Sequence, residues 1–202
     1  MRKSFTALFL SLPLILSVEA FAKNSQKFES SFQETLSGSV KIEVMIGEDL
    51  SYRANNLPKK LSDRGPTRRL NSGFSNNGYY GERDLNRLAE HLETKMARRL
   101  SKKGVTVSDT ASKTLRLTIT DAKPNRPTFE QLSREPSLSF KSFGIGGASF
   151  EGQLISASGE SIGDISYAWY ENDFEDAAFS GTWTDAKRAM DFFTRKTAKK
   201  LN

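Results

Sequence analysis

Apolar and polar residues alternate along several stretches of the chain, which is the pattern of β-strands with one buried face. The stretches are Val40–Ile46, a short run at Val105–Val107, Leu115–Ile119, Phe150–Ser156 and Ile162–Tyr170. Ser158 and Gly159 separate the last two stretches, and a Ser-Gly pair suits the tight turn of a hairpin. The pattern therefore predicts about five strands, the last two forming a hairpin.

Two other stretches have apolar residues at helical spacing, so each predicts an amphipathic helix. The first helix covers Glu82–Lys103 and ends at Gly104, with its apolar stripe formed by Leu85, Leu88, Leu92, Met96 and Leu100. The second closes the chain, with a stripe formed by Trp183, Ala186, Met190, Phe193, Thr197 and Leu201. The nearest apolar surface for the closing helix is the hairpin face formed by Ile165, Tyr167 and Trp169.

The order of these elements predicts a single α+β domain. We expect a mixed or antiparallel sheet of about five strands, with the two long helices on one face. The domain is expected to span residues 37–202. A flexible, polar lead-in at residues 23–36 precedes it, and a long basic loop at residues 51–80 interrupts it.

The amino terminus has the three parts of a secretory signal peptide. Arg2 and Lys3 precede an apolar run over residues 8–18, and Ala20-Phe21-Ala22 follows as a cleavage site. The apolar run is short for a membrane span and contains Pro13, so a retained anchor is the weaker alternative. We expect residues 1–22 to be removed on export, and the style of the signal favours the periplasm of a Gram-negative bacterium.

The chain has no cysteine, so neither disulfides nor lipidation on an amino-terminal cysteine can stabilise or anchor it. Its formal net charge is +6. A basic cluster lies in the loop at residues 51–80 and consists of Arg53, Lys59, Lys60, Arg64, Arg68 and Arg69. One interpretation is a solvated loop, since charge runs usually serve solubility. The other is a contact site for an anionic envelope surface, whose binding would weaken with salt.

The element order resembles a small periplasmic α/β module. It is similar to the amino-terminal domain of the Tol-system propeller protein, the curli-secretion and penicillin-binding-protein-activator lipoproteins, and bacterial envelope families of unknown function. The resemblance depends on Val40–Ile46, the helix ending at Gly104, Leu115–Ile119, the Ser158-Gly159-Glu160 turn and the opening of the last helix. It implies an interaction or assembly role in the envelope. Many such relatives are lipoproteins, from which this chain departs by lacking cysteine.

No motif in the sequence predicts catalytic residues, a metal site or a cofactor. His91 is the single histidine, so a zinc site with several histidines is excluded. Its place in the middle of the helix, beside the Leu88 and Leu92 stripe, favours a partly exposed structural role. Gly144-Ile145-Gly146-Gly147 precedes a strand and lacks the following helix of a phosphate loop. It is interpreted as a flexible hairpin entry or a bulge. The acidic loop at residues 171–176 lacks the EF-hand pattern, which favours solvation over Ca²⁺ binding.

The function predicted from the sequence is that of an exported, non-catalytic binding or assembly module of the bacterial envelope. Its expected partner is an envelope protein or an anionic envelope surface, contacted at the membrane periphery, and not a nucleic acid. The alternative is an envelope hydrolase acting on glycans, which would need two carboxylates roughly 5–10 Å apart across a cleft.

Export predicts a defined amino terminus. Because the cleavage site follows Ala22, the exported protein should begin at Lys23. Amino-terminal sequencing of protein released from the periplasm checks this expectation. Recovery of protein that retains Met1, or that stays in the cytoplasm, would contradict it.

Overall fold

The computed structural model describes residues 27–32, 35–64 and 73–202. Within these residues, the strands are β1 Phe28–Ser30, β2 Ser39–Ile46, β3 Thr106–Val107, β4 Lys113–Lys123, β5 Gly147–Ile155 and β6 Ser161–Tyr170. The helices are α1 Glu48–Tyr52, α2 Phe74–Asn77, α3 Glu82–Ser101, α4 Phe129–Arg134, α5 Phe174–Ala177 and α6 Thr184–Lys200. A 3-10 turn covers Leu61–Asp63.

The strands form one mixed sheet in the order β1-β6-β5-β4-β2-β3. β2 is parallel to both of its neighbours, β3 and β4, and the other pairs are antiparallel. Because α3 connects β2 to β3 and β4, it acts as the crossover helix that parallel neighbours require. β5 and β6 form the predicted hairpin, and Gly159 in its turn has a φ of 89°, a conformation that favours glycine.

Both long helices pack on the same face of the sheet, which confirms the predicted α+β arrangement. The strand residues that face them are buried and apolar, among them Val40, Leu117, Phe150, Leu154 and Ile165. The opposite face is polar and carries surface ion pairs. Lys41 Nζ lies 3.0 Å from a Glu43 carboxylate oxygen, and Arg116 Nη2 lies 3.0 Å from the other oxygen. The alternation of apolar and polar residues along each strand thus gives the sheet one buried face and one solvent-exposed face.

The segment predicted as a flexible lead-in contributes to the fold instead. Phe28–Ser30 pairs with β6 and places Phe28 opposite Tyr167. Phe32 is buried so close to Gly163 that a Cβ at that glycine would lie 2.3 Å from its ring. Phe28 and Phe32 are isolated in the sequence and show no apolar period, yet both pack at the β6 edge. The pairing of Phe28–Ser30 with β6 gives the sheet its sixth strand. Residues 23–26, 33 and 34 lie outside the described residues.

The described parts of the predicted 51–80 loop contain short regular elements. They include the end of α1, the 3-10 turn and α2. Gly78, directly after α2, has a φ of 89° and lies where a Cβ would be 2.2 Å from the carbonyl oxygen of Asn56. This close approach of two backbones draws the segment into the fold.

Phe193 of α6 is fully buried and lies between two aromatic rings of the hairpin. Its ring is stacked on Phe150 at 4.8 Å between centroids and lies parallel to Tyr167 at 6.3 Å. Phe193→Ala should therefore lower the free energy of unfolding by ~3–5 kcal/mol. That is a large part of the ~5–15 kcal/mol that stabilises a typical domain. Denaturant-induced unfolding measures the loss.

Phe192→Ala is the matched control for Phe193→Ala. The Phe192 ring is only half-buried and contacts the edge of Trp169 at 5.4 Å between centroids. Its truncation removes less buried surface and should cost clearly less. Equal costs for the two variants would show that α6 does not dock through Phe193.

Candidate binding pocket

A pocket of about 250 Å³ lies where the amino-terminal halves of α3 and α6 meet the segment around α4. We call it the α3–α6 pocket. Its apolar lining is formed by Leu88, Pro127, Phe129, Phe140 and Trp183. Its polar lining is formed by Asp84, Arg87, His91, Thr128, Thr182 and Lys187. It therefore combines an aromatic wall with charged side chains.

A capping box fixes the helix that carries Phe129. Thr128 Oγ1 accepts a bond from the Gln131 amide at 3.2 Å, and the Thr128 amide donates to Gln131 Oε1 at 3.1 Å. The buried Gln131 side chain also donates to the carbonyls of Phe74 and Gly78, at 2.7 and 2.8 Å. Since α4 is thus held at both its start and its side, the position of Phe129 at its first turn is fixed.

Trp183 forms the base of the pocket at the start of α6. Its ring meets the edge of Tyr80 at 5.9 Å between centroids, and its Nε1 donates to Asp84 Oδ2 at 3.2 Å. The Asp84 carboxylate therefore already has a partner. Trp183 connects α3 to α6 and closes the inner end of the pocket.

Buried polar groups hold the start of α6 against the loop before β5. The Asp185 amide donates to Asn125 Oδ1 at 2.9 Å, and Asn125 Nδ2 donates back to the Asp185 carboxylate. The Gly146 amide also donates to that carboxylate at 3.3 Å. A Cβ at Gly146 would lie 2.6 Å from Asn125 Oδ1, so the glycine allows this close approach. Both buried side chains are hydrogen-bonded, which their burial requires.

Arg126 ties two loops together beside the pocket. Its Nε donates to the Ser180 carbonyl at 3.1 Å, and its Nη1 donates to the Lys141 carbonyl at 2.8 Å. The guanidinium also donates to the carbonyls of Phe140, Ser142 and Ala178. Five donors in a planar fork suit this arrangement. One side chain thus fixes residues 140–142 next to residues 178–180.

Four exposed phenylalanines stand on the loops that Arg126 and α4 position, and we call them the phenylalanine rim. Phe129 is 68% exposed, Phe140 63%, Phe174 55% and Phe179 96%. Phe129 meets Phe140 edge to face at 5.6 Å, and Phe174 contacts Phe143 at 4.8 Å between centroids. Clustered exposed aromatic rings are typical of interaction surfaces rather than of ordinary protein surface.

The charged groups of the pocket are predominantly positive. Arg87 and Lys187 are exposed and form no ion pair or hydrogen bond with any described residue. Burial, with Lys187 and Lys95 nearby, lowers the pKa of His91 from its ordinary value, so the imidazole is neutral at pH 7. Asp84 keeps its negative charge when it accepts the Trp183 bond, so the lining has one positive charge in excess. The two cations without a described partner can pair with an anion at the mouth of the pocket.

Arg53 of the predicted basic site lies in the interior, which corrects its proposed role at a surface. It is 6% exposed, and its Nη2 lies 2.7 Å from Asp121 Oδ1. Burial alone would lower the pKa of Arg53, but Asp121, Tyr80 and Asp49 together outweigh this effect and the pKa is raised. Tyr170 donates to the other Asp121 oxygen at 2.5 Å. Arg53 thus joins α1 to the ends of β4 and β6, and no charge remains for a ligand.

Lys59, Lys60 and Arg64 are the other residues of the predicted basic site that the structure describes. Lys59 and Lys60 are exposed, and Lys59 Nζ lies 4.6 Å above the Tyr52 ring. Arg64 Nε donates to the Pro58 carbonyl at 2.7 Å. Arg68 and Arg69 lie outside the described residues. Of the four predicted residues that the structure describes, Arg53 is buried and paired while Lys59 and Lys60 are exposed, so these four do not form one surface site.

Two acidic residues of the loop at residues 171–176 have structural partners. Glu171 pairs with Arg188 at 2.8 Å, and Asp173 caps α5 by accepting a bond from the Glu175 amide at 2.8 Å. Across residues 27–32, 35–64 and 73–202, no group of three or more acidic, histidine or cysteine side chains is placed to hold a metal ion. Nor does any helix in that part of the chain combine the length and apolar character that a bilayer crossing requires.

Sequence reasoning did not identify the α3–α6 pocket or the phenylalanine rim. The rim residues lie in segments rich in proline, glycine or acidic residues, where no periodicity marks them. The sequence did contain one signal for the rim, because four phenylalanines occur in segments without an apolar period. Such side chains are expected to pack against apolar surface elsewhere in the protein or on a partner.

Arg126 offers a direct test of how the rim is positioned. Arg126→Gln removes a charged donor from five carbonyls. Because these charge-assisted hydrogen bonds are lost, the segments 138–143 and 174–181 should open more often and be cleaved several-fold faster in limited proteolysis. The control is Arg134→Gln, which removes an exposed pair with Glu130 on α4. Equal cleavage of both variants and the wild type would show that Arg126 does not hold these loops.

Comparisons with known proteins place the chain in a family without a described activity. No curated protein matches its sequence. Among solved structures, the PelC dodecamer from Paraburkholderia phytofirmans is similar over 87% of this chain and 96% of its own, with 9% identity and a TM-score of 0.47. Protein XCC0632 from Xanthomonas campestris, of family DUF330, is similar over 83% and 89%, with 9% identity and a TM-score of 0.43.

A minor lipoprotein from Acinetobacter baumannii is similar over 81% of this chain and 91% of its own, with 12% identity and a TM-score of 0.34. At these scores and identities, the structural likenesses assign no function. The resemblances to the Tol-system, curli-secretion and penicillin-binding-protein-activator proteins remain predictions. A family model, by contrast, matches residues 69–197, more than half of the chain. The chain belongs to the family described as protein of unknown function DUF3313.

Proposed function

We propose that this protein is an exported, non-catalytic binding module of the bacterial envelope. It acts in the periplasm and captures a segment of a partner protein in the α3–α6 pocket. The segment presents an apolar side chain next to one or more carboxylates. The observation that carries the proposal is the pairing of an aromatic wall with two cations that have no partner among the described residues.

The apolar half of the pocket suits a single anchoring side chain. The whole pocket has a volume of about 250 Å³, which is just below the roughly 300–1,000 Å³ of pockets that enclose small-molecule ligands. The contacting rings of Phe129 and Phe140 would form one wall against an inserted ring or aliphatic side chain, with Leu88 behind it. Apolar anchors in such recesses supply most of the affinity of protein interfaces.

The charged half of the pocket selects a partner segment that carries negative charge. Arg87 on α3 and Lys187 on α6 flank the mouth from opposite helices. A carboxylate beside the anchor would pair with either cation without displacing an existing ion pair. Complementary charges of this kind favour the correct partner and speed its association.

The hydrolase alternative lacks a favourable observation. Asp84 is the one carboxylate among the residues that line the pocket, and it accepts a bond from Trp183. Three other carboxylates, on Glu29, Glu151 and Asp164, line a wider groove of about 760 Å³ on the polar face of the sheet. Two of them have partners there, since Glu29 pairs with Lys27 and Asp164 accepts bonds from Gln153 and Ser161. The module is therefore the function that the geometry favours.

Lys59 and Lys60, with Arg64, form a secondary part of the proposal. Arg53 is excluded because it is buried and paired. The remaining cations of the basic loop would add a weak, salt-sensitive attraction to an anionic envelope surface. This contact would orient the module without contributing to the pocket.

Peptide titration tests the pocket. A peptide without tryptophan, with one phenylalanine flanked by glutamate and aspartate, should change the fluorescence of Trp183 on binding. The double variant Arg87→Glu/Lys187→Glu should bind at least about tenfold more weakly, because each cation is replaced by a repelling charge. A peptide with lysines in place of the acids should not bind the wild type.

The matched control is Arg83→Glu/Lys200→Glu, which reverses one exposed arginine on α3 and one exposed lysine on α6 outside the pocket. This variant should bind the acidic peptide as the wild type does. Equal binding by both double variants, equal binding of the lysine peptide, or no binding of the acidic peptide would overturn the proposal.

A further inference from the structure

The chain itself contains a segment with the chemistry that the α3–α6 pocket selects. Residues 173–179 read Asp-Phe-Glu-Asp-Ala-Ala-Phe and end in Phe179. Phe179 is 96% exposed, the highest value among the large apolar side chains that the structure describes. The side chains of Glu175 and Asp176 are exposed and form no ion pair with any described residue. The segment therefore presents an apolar anchor next to free carboxylates.

We infer that a second copy of this chain is a partner of the α3–α6 pocket, with its Phe179 packed against the contacting rings of Phe129 and Phe140. This inference rests on the proposed function and names the occupant of the same site. In the complex, Glu175 and Asp176 of one copy face Arg87 and Lys187 of the other. Each contact therefore combines burial of an apolar side chain against aromatic rings with two pairs of opposite charges.

The anchor cannot be satisfied within one copy. Arg126 binds the carbonyls of Ala178 and Ser180, on either side of Phe179, and holds this segment to the loop at residues 140–142. With its backbone fixed in this way, Phe179 points into solvent rather than into its own pocket. Leaving so large an apolar ring in water is unfavourable, which favours its burial against another molecule.

The position of the anchor favours a reciprocal dimer. Arg126 places the loop bearing Phe179 next to the loop bearing Phe140, which lines the pocket. Anchor and recess therefore lie at the same end of the molecule. A two-fold axis through such a patch lets each copy insert its anchor into the other, since an isologous interface uses the same surface twice. Two equivalent contacts form, and the assembly closes as a dimer.

Sedimentation equilibrium of the purified protein at high micromolar concentration tests the inference. The wild type should be dimeric. Phe179→Ser should weaken the dimer at least about tenfold, as expected for removal of a buried anchor, and should leave the fold intact because the side chain is exposed. Circular dichroism checks that the fold is unchanged.

Charge reversal supplies a sharper measurement. Arg87→Glu/Lys187→Glu and Glu175→Lys/Asp176→Lys should each be monomeric alone. An equimolar mixture of the two variants should dimerise. In the mixed dimer, the native acidic segment of one copy meets the native basic pocket of the other, and the lysine-bearing segment meets the glutamate-bearing pocket. A mixture that stays monomeric would overturn the inference, and so would a dimer that none of these variants weakens.

The outcomes separate this inference from the proposed function. A monomeric wild type that still binds the acidic phenylalanine peptide shows that a second copy is not the partner, and leaves the proposed function in place. A monomeric wild type that does not bind the peptide overturns both. A dimer that the acidic peptide dissociates supports both.

Discussion

The stacking of Phe193 on the aromatic hairpin is the interaction on which the rest of this structure depends. It fixes α6 on the sheet, and α6 in turn supplies the base of the α3–α6 pocket through Trp183 and one of its cations through Lys187. Because α3 carries the opposing cation, the distance between the two charges follows from helix packing alone. The pocket therefore depends on how the two helices dock, and the capping box of α4 and the Arg126 contacts complete its aromatic wall.

Buried polar contacts then convert that packing into a defined surface. Asn125 and Asp185 lock the start of α6 to the loop before β5, and Arg126 holds two exposed loops next to each other. Unpaired buried groups at these positions would be strongly destabilising, which makes this arrangement of the loops specific. The exposed phenylalanines are consequently presented by a rigid frame, and rigidity reduces the entropy that binding must overcome.

The sequence predicted the elements whose signal is local and missed those that depend on distant partners. Alternation and helical spacing identified the four long strands, the β5–β6 hairpin and both long helices, since each pattern lies within a single element. β1 is three residues long and exists because Phe28 meets Tyr167, more than a hundred residues away. Arg53 appeared as one of six clustered cations, but its role was decided by Asp121 on another strand. The pocket residues come from four separate segments, so no window of sequence contains their relation.

The contrast between Arg53 and Arg87 shows why counting charges along a sequence does not locate a binding site. Arg53 lies in a segment with six basic residues between positions 53 and 69, yet Asp121 neutralises it and burial removes it from any ligand. Arg87 lies on a helix of mixed charge, yet it has no partner among the described residues and stands beside an exposed aromatic wall. A cation contributes to recognition when it is unpaired, accessible and next to apolar surface, because water is then excluded from the pair that it forms. These conditions are properties of the fold, and here they are met between α3 and α6.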